Sequence, residues 1–72
     1  MVSFFERKGA YVRFESRAVD NRTDLFELII RDADGSERRE VFKDSEMLLR
    51  RQIELERGLE HDGWQGPFGR VF

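Results

Sequence analysis

The sequence predicts an α+β fold: a four-stranded antiparallel meander followed by one amphipathic helix packed on one sheet face. Three observations carry this. Residues 1–43 break into short alternating or densely apolar stretches separated by turn signals. Residues 45–62 switch to an apolar period of 3.6. The chain has 72 residues, one proline and no cysteine, enough for one small core and no disulfide. A single domain over 1–63 with an aromatic tail over 64–72 is the expected organisation.

The first strand is expected at 2–7, where Phe4 and Phe5 are adjacent. Lys8-Gly9 supplies a tight hairpin turn, and the next strand follows at once. From 10 to 18 the chain alternates, with Ala10, Val12, Phe14, Ser16 and Ala18 on one face and Tyr11, Arg13, Glu15 and Arg17 on the other. Residues 20–24, Asp-Asn-Arg-Thr-Asp, have loop composition, because such side chains bond their own backbone.

The third strand, 25–31, is apolar on both faces: Phe26, Leu28 and Ile30 on one, Leu25 and Ile29 on the other. A strand of that kind is covered twice, so a loop, the tail or another subunit is expected over its second face. Residues 32–36, Asp-Ala-Asp-Gly-Ser, make a hairpin loop, and the charge density of 37–42 marks an edge strand.

Asp44 is the expected helix N-cap, since its carboxylate accepts from free N–H groups of the first turn. Leu48, Leu55 and Leu59 form the apolar stripe, which Leu49 and Ile53 widen; Gln52 falls within it and needs a partner if buried. Gly63 stops the helix, and Trp64 packs back on its last turn. The tail to Phe72 combines two glycines and a proline with two phenylalanines. That is too interrupted for a helix and too aromatic for an ordinary solvated tail.

Composition excludes several functions. Charged residues make up 39% of the chain and the net charge is -2, finely mixed as in Glu37-Arg38-Arg39-Glu40, so the footprint of a duplex nucleic-acid binder is missing. No apolar run exceeds three residues, which rules out a membrane span and points to a cytoplasmic chain with no membrane role. With no cysteine and only His61, no zinc site, metal or other cofactor is expected. Asp32-x-Asp34-Gly35 has the opening of a calcium loop, but position six is Glu37 and position twelve Lys43, so a hairpin turn is the better reading. Ser3, Ser16, Ser36 and Ser45 are scattered, and His61 suits a helix C-terminus. No enzyme is expected.

Two functional readings stand. The first is a small non-catalytic interaction or assembly module, a homodimer or the partner of another protein. Its contacts are drawn from the tail (Trp64, Phe68, Val71, Phe72), the second sheet face (Leu25, Ile29) or the Leu49/Ile53 flank of the helix. The second is a single-stranded nucleic-acid binder using Tyr11, Arg13, Arg17 and Arg22, with Phe5 nearby. Residues 7–22 hold five basic and two acidic side chains, and bases stack on aromatics while arginines take phosphates. Cross-strand ion pairing on a solvated sheet face explains the same residues without a ligand.

Overall fold

Lys8 and Gly9 both adopt positive φ, 51° and 81°, the backbone of a two-residue type I′ turn whose twist matches the strands it joins. It connects β1 (Val2–Arg7) to β2 (Ala10–Ala18) in continuous register, Val2 opposite Glu15 through Arg7 opposite Ala10. The computed structural model describes residues 1–19 and 24–71. It continues with β3 (Phe26–Arg31), β4 (Glu37–Phe42), α1 (Ser45–His61) and β5 (Gln65–Val71). Most of the loop expected at 20–24 lies outside the described residues; at its stem, Val19 N–H donates to the Leu25 carbonyl at 3.0 Å.

All neighbouring strands are antiparallel, in the order β4-β3-β2-β1-β5. The four-stranded meander and the single helix are as the sequence predicts. The fifth strand is the finding that the sequence did not offer. After β4 the helix carries the chain back over the sheet, and the tail joins β1 as an edge strand. Pro67 sits in that edge strand, where a missing N–H is tolerated. Gly66 and Gly69 are required for the approach. A Cβ on Gly66 would stand 2.9 Å from the Phe4 carbonyl oxygen, and one on Gly69 would stand 2.9 Å from the Phe4 ring.

The core lies between α1 and one sheet face. Phe5, Val12, Phe14, Leu28, Ile30 and Leu48 are buried there, with Phe26, Phe42, Leu55, Leu59 and Trp64 packed around them. The Phe5 and Phe14 rings meet edge to face, 6.0 Å between centroids. Each large apolar side chain removed from water contributes about 1.5–3 kcal/mol, so this handful of residues supplies most of the favourable term.

Both helix ends are capped as expected. Glu46 N–H donates to the Asp44 carboxylate at 2.6 Å. At the other end Gly63 N–H bonds the Glu60 carbonyl and Trp64 N–H the Leu59 carbonyl, each at 3.0 Å, the paired closure of a Schellman motif. Arg7 then ties the helix end to β1, donating to the Asp62 carbonyl at 2.8 Å and lying 5.0 Å above the Trp64 ring.

The rotation of α1 corrects the expected stripe. Gln52 and Glu56 are buried beside Leu48, whereas Leu49 and Ile53 are turned outward. Leu48, Leu55 and Leu59 pack on the core, and an ion pair reinforces the opposite flank. Arg51 makes a two-pronged pair with Glu40 of β4, at 2.9 and 3.3 Å, and this bond holds that flank of the helix to the sheet. Hydrogen bonding to Glu40 raises the Arg51 guanidinium further above its ordinary range.

Candidate interaction surfaces

The sheet face away from α1 carries Phe4 and Glu6 from β1, Tyr11, Arg13, Glu15 and Arg17 from β2, Glu27, Ile29 and Arg31 from β3, Glu37, Arg39 and Val41 from β4, and Phe68 from β5. Alternation on β2 places Tyr11, Arg13 and Arg17 together there, as the sequence predicts. Arg22 lies outside the described residues. Phe5 belongs to the other face, buried in the core, because Phe4 and Phe5 are consecutive in a strand and point opposite ways. Phe4 takes the outer position.

Most of this face is ion-paired. Arg17 meets Glu27 at 2.6 Å, Arg31 meets Glu37 at 3.1 Å, and Arg39 lies 3.5 Å from Glu37 and 3.9 Å from Glu27. Hydrogen bonding from Arg31, helped by the Arg39 charge, holds the Glu37 carboxyl below its usual range. These side chains solve the problem posed by the two-sided third strand. Ile29 is only 7% exposed, and Arg13, Glu15, Arg31 and Glu37 line the small gap beside it. Aliphatic stems of charged residues cover the apolar surface while their heads remain in water.

One end of the face is aromatic. The Phe4 ring packs edge to face against Tyr11 at 5.8 Å and tilted against Phe68 at 5.6 Å. Tyr11 and Phe68 stay 54% and 42% exposed, so the cluster presents two rings to solvent. The other proposed tail contacts are placed as follows. Trp64 is half-buried on the core; the Val71 backbone pairs with Val2; Phe72 is outside the described residues; Leu25 is half-buried just before β3.

The second surface is on the helix side. A groove of about 510 Å³ runs between the first half of α1 and the ends of β2 and β3, lined by Ala18, Phe26, Leu48, Leu49 and Gln52 among others. Gln52 is buried, and its Oε1 has no hydrogen-bond partner. Beside the groove Leu49 and Ile53 are 49% and 38% exposed. One turn apart on the helix, they form an apolar flank bracketed by Glu46 and Arg57.

Candidate chemistry does not converge. Ser3 is buried in β1, Ser16 lies in β2, Ser36 in the β3–β4 turn, and Ser45 and His61 are the first and last residues of α1. Among the described residues no cluster of three histidine, cysteine, aspartate or glutamate side chains is arranged to hold a metal. No described helix is long and apolar enough to cross a membrane. Asp34 works within its turn: bonds from Ser36 hold its carboxyl below the usual range.

No protein-family model, curated protein or solved structure matches the chain.

Proposed function

We propose that this chain is a small non-catalytic assembly module that forms a homodimer through the outer flank of α1. The observation that carries the reading is the exposure of Leu49 and Ile53 on a helix whose other leucines are buried or half-buried. The tail backbone is paired with β1 as strand β5, and Ile29 of the second sheet face is flanked by charged side chains, so the exposed apolar groups of that face are confined to its aromatic end. The helix flank keeps its apolar groups in water.

That flank is self-complementary. An antiparallel pairing of two α1 helices about a twofold axis sets Leu49 against the partner's Ile53 and Glu46 near the partner's Arg57. Arg57 has no ion pair among the described residues. An interface built on one helix flank is of the small class, so dimer formation is expected to depend on concentration.

Light scattering after size exclusion, across a concentration series, tests this. The unmodified chain should pass from monomer to dimer as concentration rises, and Leu49→Glu/Ile53→Glu should remain monomeric with an unchanged circular dichroism spectrum. A chain monomeric throughout sinks the reading.

A further inference from the structure

The outer sheet face lies on the opposite side of the molecule from the proposed dimer flank, and one feature of it is left unexplained by ion pairing. The strand registers place Phe68, Phe4, Arg13, Arg31 and Glu37 in a single row across all five strands, each directly opposite the next. Two arginines therefore face each other as cross-strand neighbours. Like charges so placed destabilise a sheet. The carboxylates near them relieve this unevenly: Glu37 is 3.1 Å from Arg31, but Glu15 is 3.9 Å from Arg13.

We infer that this row is a binding platform for single-stranded nucleic acid. The aromatic end, Phe68 and Phe4 with Tyr11 beside them, offers ring faces and edges to two bases, and the Arg13/Arg31 pair takes the phosphate that follows. Neighbouring strands are about 4.8 Å apart, so the row spans roughly 14 Å from β5 to β3, the length of a short dinucleotide track. An anion seated between the two guanidiniums offsets their mutual repulsion, and half-exposed rings lose water on stacking. Duplex is not favoured, because the carboxylates of Glu6, Glu15, Glu27 and Glu37 interrupt the face and leave no continuous basic surface. Arg17, held by Glu27 at 2.6 Å in a different row, is outside the platform. Arg31 and Phe68 belong to it instead.

Fluorescence anisotropy with labelled oligothymidylate and oligouridylate of equal length, titrated over a potassium chloride series, tests the inference. Binding should weaken with salt at a log–log slope near -0.7, for the one phosphate seated between the two arginines. Arg13→Ala should flatten that slope and weaken binding. Tyr11→Ala should weaken binding by about five- to a hundredfold and Tyr11→Phe should restore it. Arg17→Ala should leave affinity within about twofold. Each variant is checked for its fold by circular dichroism and thermal melting. No binding by the folded protein at low salt overturns the inference. So does binding that Tyr11→Ala leaves unchanged or that heparin displaces equally well in both proteins, which would mark a bare anion patch without stacking. These results are independent of oligomeric state, so failure here leaves the dimer reading standing.

Discussion

Gly66 rests directly against the Phe5 ring: a Cβ built at position 66 would stand 2.9 Å from Phe5 Cδ2. The close approach couples the last strand to the centre of the core, since Phe5 is fully buried between β1 and the helix. Gly66→Ala forces either the ring or the strand to move. The expected cost is about 1–3 kcal/mol, with β5 loosened first. Urea unfolding gives the loss, and amide exchange at the β1 and β5 backbone shows where it falls. Unchanged protection of β5 would contradict this contact.

Gly58 is the opposite case. It sits inside α1, and a Cβ there would meet nothing within 4 Å. Gly58→Ala should stabilise the protein by about 0.5–1 kcal/mol, because alanine restricts the unfolded chain and adds no clash. A thermal midpoint raised by several degrees is the expected reading.

Among the described residues, two buried polar atoms, Ser3 Oγ and Gln52 Oε1, lack hydrogen-bond partners. Removing them should cost nothing. Ser3→Ala and Gln52→Leu are expected to be neutral or stabilising by about 1 kcal/mol, since no bond is lost and an unsatisfied group is deleted. Destabilisation by more than that in chemical denaturation would mean that the groups are bonded in solution.

Acid should weaken the fold through its hairpin carboxylates. Bonds from Ser36 lower Asp34, and Arg31 lowers Glu37. A carboxyl depressed in the folded state adds stability above its unfolded pKa, and that stability is lost as pH falls through the folded value. The loss therefore begins near the ordinary carboxylate range, at about pH 4, and grows below it. Both groups are exposed, so the effect is small and salt-sensitive. Asp34→Asn and Glu37→Gln should each flatten the decline of unfolding free energy measured from pH 5 to pH 3.

Much of this fold is legible in the sequence because its signals are local. Alternation fixes the faces of β2, Lys8-Gly9 fixes the first hairpin, and Asp44 and Gly63 fix the ends of α1. Three features are not legible, and each depends on contacts far apart in the chain. Gly66, Pro67 and Gly69 resemble a linker until they are seen against Phe4 and Phe5. The turn of α1 that exposes Leu49 and Ile53 is set by which residues pack on the sheet, Leu48, Gln52 and Glu56 among them, and is accompanied by the long-range Arg51–Glu40 pair. Ile29 is covered by Arg13, Glu15, Arg31 and Glu37, side chains whose charge reads as solvent-facing while their stems act as cover. Of the nucleic-acid candidates, Tyr11 and Arg13 are visible in the alternation of one strand. Arg31 and Phe68 join them only through cross-strand register.

Sedimentation equilibrium on charge-exchanged helices measures self-association through α1. Glu46→Arg and Arg57→Glu are each expected to weaken the dimer, since either places like charges across the twofold axis, and the double variant is expected to restore it. Single variants that dimerise as well as the unmodified chain, or a double variant that stays as weak as the singles, would contradict the antiparallel helix pairing.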